Sequence, residues 1–148
     1  MTVSRFDDIG ESIYDFLYKY DILIECPHCL KSARGLRRSE GEFGYLLQCK
    51  RCGILSHPNV GSWGNGTFMG FNVWLRTNCC GELLWAYNKE HLDLLDGYIN
   101  ASLRERIPNQ NQSLASRLPD WIKNRKNRNE LAKGIAKLQN KLINHDLN

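Results

Sequence analysis

Near the start of the chain, apolar residues recur at spacings of three and four, which is the period of an α-helix. The recurring residues are Phe6, Ile9, Ile13, Phe16, Leu17 and Tyr20. Ser4 precedes them in the position of an N-cap, and acidic residues occupy the opposite face. The pattern predicts an amphipathic packing helix over residues 3–20, which forms an N-terminal segment of residues 1–21.

The middle of the chain carries short apolar runs separated by turn residues, which is typical of strands. The predicted strands are residues 22–24, the neighbours of Leu36, residues 45–48, residues 71–76 and residues 83–87. A turn at residues 41–44 would join the strands around Leu36 and Tyr45, and a Cys-Cys-Gly turn would join the last two. We therefore expect a ribbon with an added β-hairpin over residues 22–87.

After Asn88, which is placed as an N-cap, the helical period returns and predicts a helix over residues 89–106. A polar linker follows Pro108, and then a short helix at residues 114–118 and a turn after Pro119 that holds Trp121 and Ile122. A capping box at residues 127–130 opens the last helix. The apolar stripes of the two long helices are Leu92, Leu95, Ile99 and Leu103, and Leu131, Ile135, Leu138 and Leu142. The sequence thus predicts an α+β protein with a helical region at residues 88–148.

Two Cys-x-x-Cys pairs, separated by nineteen residues, give this chain its clearest chemical signal. The four residues are Cys26, Cys29, Cys49 and Cys52. This spacing is typical of a structural zinc site with four thiolate ligands and no open coordination position. Gly53 follows the second pair, where a turn requires a positive φ. We expect one zinc ion in a four-cysteine zinc ribbon.

Six cysteines in a secreted chain would instead suggest three disulfides. The N-terminus shows neither the basic start nor the apolar core of a signal peptide, so reduced thiolates and a cytoplasmic location fit better. The longest apolar run, residues 83–87, is far too short to span a membrane.

Cys79 and Cys80 allow two interpretations. With His57 and His91 they would form a second zinc site, but adjacent strand residues point to opposite sides and do not easily bind one ion. The alternative, which we favour, is a tight turn in which both thiols pack as small apolar groups. His28 could replace a cysteine ligand, yet four thiolates already suffice, so we expect it at the surface.

No histidine forms a recognisable catalytic group with a serine, a cysteine or paired carboxylates, and Glu90 beside His91 is typical of helix capping. The glycines of residues 57–70 lack the Lys-Ser/Thr that follows a phosphate-binding loop. We therefore expect a non-enzymatic protein that has no small-molecule substrate.

The net charge of +4 is unevenly distributed. Residues 1–100 carry ten basic and twelve acidic side chains, whereas residues 101–148 carry ten basic and four acidic ones. Basic clusters beside aromatic residues favour an anionic partner such as nucleic acid, although they can also serve only as a solvated surface. The candidate contacts are Arg34, Arg37, Arg38, Lys50, Arg51, Arg117, Lys123, Arg125, Lys126 and Arg128.

Residues 75–92 contain a Cys-Cys-Gly turn, a Leu-Trp-Ala-Tyr-Asn strand end and a following His-Leu helix. On these motifs, and on those at residues 103–106 and 114–119, the chain resembles a group of small bacterial zinc-ribbon proteins that have no established activity. The resemblance covers roughly residues 20–145. It implies that the chain is one unit built on a zinc ribbon, and it implies nothing about activity.

Two hypotheses follow. The first is a non-enzymatic protein that binds DNA or RNA phosphates through the ribbon and the basic C-terminal region. The alternative is an adaptor for a protein partner, which docks through the ribbon and through Trp63, Phe68 and Met69 of the loop at residues 57–70.

Overall fold

The computed structural model describes residues 5–8, 20–37, 45–56, 65–68, 70–101, 103–106 and 118–147. The strands are β1 (Arg5–Asp8), β2 (Ile22–Glu25), β3 (Ser32–Arg37), β4 (Tyr45–Gln48), β5 (Leu55–Ser56), β6 (Thr67–Phe68), β7 (Phe71–Asn72), β8 (Leu75–Cys79), β9 (Glu82–Ala86) and β10 (Leu103–Arg106). The helices are α1 (Lys89–Asn100), α2 (Asp120–Lys123) and α3 (Arg128–Leu147), with a 3-10 turn at Arg125–Asn127. The α+β class is therefore confirmed.

The predicted ribbon strands form one antiparallel sheet in the order β2-β3-β4-β5. Ile22 pairs with Gly35, and Leu36 pairs with Leu46, so the strands at residues 22–24 and 45–48 flank the strand that contains Leu36. The turn predicted at residues 41–44 lies outside the described residues.

The added hairpin consists of β8 and β9, with Leu75 paired to Ala86 and Cys79 paired to Glu82. The first strand begins later than predicted, because Phe71 and Asn72 pair with Phe68 and Thr67 in the separate β6-β7 hairpin. Apolar alternation through residues 71–76 did not reveal that the pairing partner changes at Val73.

Strand β2 is buried on both of its faces and divides the interior into two clusters. Ile22 and Ile24 pack with Cys26 and Phe68 in the cluster beneath the ribbon. Leu23 points the other way, into the cluster formed by β8, β9 and the helices. Because side chains alternate along a strand, three consecutive apolar residues can serve two cores at once.

Backbone hydrogen bonds connect the ribbon to the hairpin through Leu23. Its N–H donates to the carbonyl of Tyr87 at 2.8 Å, and its carbonyl accepts from Trp74 N at 3.0 Å. An isolated bridge between Ile24 and Val73 extends the same edge of β2. The segments before β8 and after β9 therefore continue the ribbon sheet.

Helix α1 begins at the predicted cap, because Asn88 Oδ1 accepts a hydrogen bond from His91 N at 2.9 Å. The helix ends at Asn100, so the prediction that it continues to residue 106 is wrong. Ala101 adopts an extended backbone, and Leu103 belongs to β10 instead of the apolar stripe. Strand β10 pairs in parallel with β1, and this long-range pairing replaces the helix.

The predicted N-terminal helix is not confirmed. Arg5–Asp8, which the helical period placed in its first turns, form strand β1 instead, with Arg5 paired to Leu103. The remaining positions of that prediction, residues 9–19, lie outside the described residues. A local period cannot reveal pairing with a strand nearly a hundred positions further along the chain.

The C-terminal region is helical from Asp120 onwards. The predicted stripe of α3 is confirmed, with Leu131, Ile135 and Leu138 buried and Leu142 packed against the same cluster. The predicted short helix at residues 114–118 lies outside the described residues except for the buried Leu118. Among the residues described, no helix has both the length and the apolar character needed to cross a bilayer.

The capping near α3 differs in detail from the prediction. Asn124, rather than Asn127, uses its side chain as a cap, accepting from Lys126 N at 3.0 Å. The Asn127 side chain instead donates to the carbonyl of Trp121 at 2.9 Å. The sequence contained both asparagines, but only the 3-10 turn between them determines which one caps.

His91 is buried where α1 meets the end of β9. Its Nδ1 accepts a hydrogen bond from Tyr87 N at 3.0 Å, and its ring packs edge-on against Trp85. Burial lowers the pKa of His91 to about 3, since the charged imidazolium would lose its hydration. His91 is therefore a neutral packing residue.

This burial makes folding stability depend on pH. His91 takes up a proton near pH 6.5 in the unfolded chain, but only near pH 3 in the folded chain. The contribution of neutral His91 to the free energy of unfolding is therefore fully present above pH 6.5 and is lost as the pH falls towards 3. The loss from His91 alone should be about 2 kcal/mol at pH 5. The variant His91→Asn keeps an acceptor for Tyr87 N and should show a shallower pH dependence. Denaturant unfolding of both proteins between about pH 5 and about pH 7.5 measures the difference; parallel curves would contradict the assignment.

Candidate metal centre

The two Cys-x-x-Cys turns have the same backbone hydrogen bonds. In the first, Cys26 N donates to Lys31 O at 2.7 Å, and Leu30 N donates to Cys26 O at 2.9 Å. In the second, Cys49 N donates to Ile54 O at 3.0 Å, and Gly53 N donates to Cys49 O at 2.9 Å. Each turn follows a ribbon strand, β2 or β4, so the sheet brings the two turns to the same end.

The fourth position after the first cysteine of each turn has a left-handed backbone. Gly53 has a φ of 81°, as its position predicts, and Leu30 has a φ of 61° at the equivalent point. The Leu30 side chain is 62 % exposed, so packing contributes little to offset this conformation. The sequence alone gave no sign of it, because leucine rarely adopts a left-handed backbone.

The four predicted sulfur ligands converge on one point. Their Sγ atoms all lie within 4.8 Å of one another, and the separations Cys26–Cys52 and Cys29–Cys49 are both 3.6 Å. Sulfurs about 2.3 Å from a tetrahedral ion lie about 3.8 Å apart, whereas a disulfide would require about 2.05 Å. The four cysteines can therefore hold a metal ion.

The cysteine thiols of the cluster affect one another's ionisation. Burial opposes ionisation of Cys49, but hydrogen bonds from the backbone of Cys52 and Arg51 lower the pKa of Cys49 to about 7. Although a backbone hydrogen bond from Ile54 favours the Cys52 thiolate, burial and the neighbouring sulfurs raise the pKa of Cys52 to about 11. Thiols this close resist carrying several negative charges together unless a metal cation offsets them.

The other predicted ligand candidates lie elsewhere. His28 is exposed on the first turn, and His91 is buried against Tyr87, away from the four cysteines. His57 lies outside the described residues. Within the described ranges, no second group of three or more such side chains converges as these four cysteines do.

Cys79 and Cys80 form a tight turn, but the expectation that their side chains diverge is wrong. Their Sγ atoms lie 3.4 Å apart, because Cys80 has a φ of 58° and so does not continue the strand geometry of Cys79. The objection to a shared ligand assumed an extended backbone through both residues.

The structure divides the predicted nucleic-acid contacts into structural and free cations. Arg34 pairs with Asp21 at 3.1 Å and lines a groove of about 600 Å³ together with the acidic residues Glu90 and Asp93. Arg128 donates from Nη2 to the carbonyl of Ala101 at 2.6 Å. Both guanidiniums therefore already have a partner within the protein, although Arg34 remains exposed.

Other predicted contacts remain exposed. Lys50 and Arg51 lie on the second cysteine turn, and Arg125 and Lys126 lie on the 3-10 turn before α3. None of these four makes an ion pair within the part of the chain that the structure describes. Lys123 is partly buried. The side chain of Arg37 lies outside the described part, as do Arg38 and Arg117.

The lysines of α3 also separate into two kinds. Lys133 and Lys137 are exposed. Lys141, one turn further on, is half-buried, and its Nζ lies 4.3 Å from the centroid of the Trp74 ring. Burial lowers the pKa of Lys141, which fits a packing role. Regular spacing alone did not distinguish these lysines.

Comparison with known proteins adds no relative: no family model, no curated protein and no solved structure matches this chain.

The matched positions Leu30 and Gly53 allow a test of the turn geometry. Leu30→Gly should stabilise the metal-loaded protein by about 0.5–1 kcal/mol, since the relief of the left-handed leucine exceeds the entropic cost of glycine. Gly53→Leu should destabilise it by about 0.5–1 kcal/mol, the same balance in reverse, although a Cβ at Gly53 would meet no atom within 4 Å. Denaturant unfolding measures both changes. If Leu30→Gly were the more destabilising of the two, the left-handed assignment at Leu30 would be wrong.

Proposed function

We propose that this chain is a non-enzymatic, cytoplasmic zinc-ribbon protein that binds nucleic acid. Zinc is the metal that best fits four thiolates in a closed tetrahedral site, and such sites stabilise a fold without catalysing a reaction. The burial of His91, as a neutral group bonded to Tyr87, removes one conspicuous acid–base candidate and so supports a non-enzymatic role.

The observation that carries the nucleic-acid proposal is the set of exposed cations that no acidic side chain of the described residues neutralises. They are Lys31, Lys50, Arg51, Arg125, Lys126, Lys133 and Lys137. By contrast, Arg34, Arg76 and Lys89 are held by Asp21, Glu25 and Asp93. Unpaired Lys and Arg side chains gain more from a phosphate than cations already paired within the protein, and phosphate contacts dominate the affinity of such interfaces.

The adaptor alternative must use a different surface from the one predicted. Phe68, one of the three apolar loop residues assigned to docking, is fully buried in the ribbon cluster, and Trp63 and Met69 lie outside the described residues. Leu30 and Leu55, which are 62 % and 57 % exposed, remain as apolar contacts near the cysteine turns. These two side chains are the observation that supports a protein partner.

The zinc assignment predicts one zinc ion per chain. Structural zinc supplies about 10–16 kcal/mol in small fingers, which is comparable to or greater than the net stability of about 5–15 kcal/mol of a whole domain. Cys49→Ser should therefore lose the metal, and its ribbon should unfold. His28→Ala should keep the bound metal and the folded ribbon, because His28 is exposed and outside the sulfur cluster. Elemental analysis and circular dichroism report the two effects. Two zinc ions per chain, or a folded preparation without zinc, would refute the ligand set.

The nucleic-acid proposal predicts that removing two unpaired cations weakens binding more than removing two cations that are already paired within the protein. Arg125→Gln with Lys126→Gln should reduce the log–log salt slope of duplex binding by about 1.8, if each cation contacts one phosphate. Arg34→Gln with Lys89→Gln changes the net charge equally but removes cations that Asp21 and Asp93 already hold, so the slope should change little.

Fluorescence anisotropy with mixed-sequence oligonucleotides at several salt concentrations measures both slopes. Equal effects of the two double substitutions would show that net charge, rather than the proposed surface, governs binding. Absence of binding at low salt would reject the nucleic-acid proposal and leave the adaptor alternative.

A further inference from the structure

The turn between β8 and β9 holds two thiols side by side. Cys80 and Gly81 form its two central positions, and both have positive φ values, 58° and 76°. Two-residue turns of this kind strongly prefer Asn-Gly, because most other side chains are strained at the first position. Cysteine is therefore strained at the first of these positions. This conformation places the Cys80 Sγ atom 3.4 Å from Cys79 Sγ.

Helix α3 packs closely against this turn, and a cavity opens beside the turn. Gly134 faces the turn so closely that a Cβ on it would lie 3.5 Å from Cys79 Sγ and only 2.8 Å from Leu84 Cδ2. On the outer side, a cavity of about 270 Å³ opens over the turn and is lined by Glu130, Lys133 and Lys137 as well as the two cysteines. Cys79 is buried and Cys80 is partly exposed, so a small reagent can approach the pair from the cavity.

The spacing of the pair argues against a direct disulfide. Consecutive Cα atoms are about 3.8 Å apart, whereas unstrained disulfides join Cα atoms about 4.4–6.8 Å apart. A closed four-ligand zinc site is also disfavoured, because the described residues bring no group of three or more ligand atoms together at this point, although the Glu130 carboxylate lies beside Cys80.

A single bridging atom fits better. With sulfur bonds of about 2.3 Å, two sulfurs 3.4 Å apart subtend an angle of about 95° at that atom, well below the tetrahedral angle. A trivalent arsenic atom, which is pyramidal because it retains a lone pair, has bond angles in this range. Trivalent arsenic is also thiophilic, and it needs only two protein sulfurs when its third bond is to an organic group.

We propose that Cys79 and Cys80 form a chelating site for trivalent arsenicals of the type R–As(OH)2. Two As–S bonds form and two As–O bonds break, and each thiol proton leaves with a hydroxyl as water, so no oxidant or reductant is required. Burial, the Cys79 sulfur and the Glu130 carboxylate raise the pKa of Cys80 to about 12, so Cys80 is a neutral thiol before the reaction.

Phenylarsine oxide, whose hydrate carries two exchangeable hydroxyls, is a suitable probe. Native mass spectrometry of the zinc-loaded protein should show one arsenical adduct per chain with the zinc retained. The adduct should survive an excess of a monothiol and be removed by a dithiol, because only a dithiol competes as a chelator. No adduct, or an adduct that forms only as zinc is released, would overturn the proposal.

The matched control is Cys80→Asn, which creates the preferred Asn-Gly turn and so removes one sulfur without endangering the fold. Its apparent dissociation constant for the arsenical should rise by at least about 100-fold, since one sulfur cannot chelate. Cys29→Ser is unsuitable as a control, because it would damage the metal centre. An unchanged affinity in Cys80→Asn would place the adduct elsewhere and refute the site.

Discussion

The burial of β2 on both faces is the constraint on which the rest of the structure depends. Ile22 and Ile24 close the ribbon cluster, and Leu23 enters the cluster beneath the helices. The same residue joins the two parts of the backbone through Tyr87 and Trp74. Cys26 follows directly after this strand, so the first cysteine turn extends from a strand that is buried on both faces. A metal ion at this position would therefore connect β2 to β4, and through β2 it would restrain the hairpin and the helices.

The sequence predicted features whose causes are local. Four cysteines in two short turns imply a common ligand because the spacing alone restricts where the sulfurs can lie, and the Asn88 cap and the stripe of α3 follow from contacts within a few positions. The predictions that failed concerned features set by distant residues or by unusual backbone conformations. The pairing of β1 with β10 shortened one helix and replaced the start of another, and no local period encodes a partner that far away. Leu30 and Cys80 adopt left-handed backbones that their residue types do not suggest.

The distribution of charge also shows what sequence alone cannot predict, namely which cations already have partners within the fold. Counting residues places most of the basic excess after position 100, and that count treats every cation as equivalent. The structure shows that they differ: Lys141 stacks on Trp74, Arg128 bonds a backbone carbonyl, and Arg34 faces carboxylates. A cation that the fold already uses loses an existing interaction when it turns to an external phosphate, whereas an exposed and unpaired one loses mainly water. On the nucleic-acid proposal, the cations that are free to meet a phosphate are consequently fewer than the net charge suggests.

The two groups of cysteines show how backbone geometry selects the chemistry of identical side chains. Four sulfurs supplied by two separate turns surround a point, so every coordination position of a tetrahedral ion can be filled and no reactive position remains. Two sulfurs supplied by adjacent residues lie on one side of a point, so whatever they bind must bring its remaining substituents with it. The first arrangement depends on a sheet that holds distant turns together, while the second depends on a tight turn whose two central residues, Cys80 and Gly81, have positive φ values. A single protein can therefore keep a closed structural centre and an open dithiol, provided that the fold keeps the two apart, as β2 does by separating the cluster that contains Cys26 and Cys49 from the one that contains Cys79.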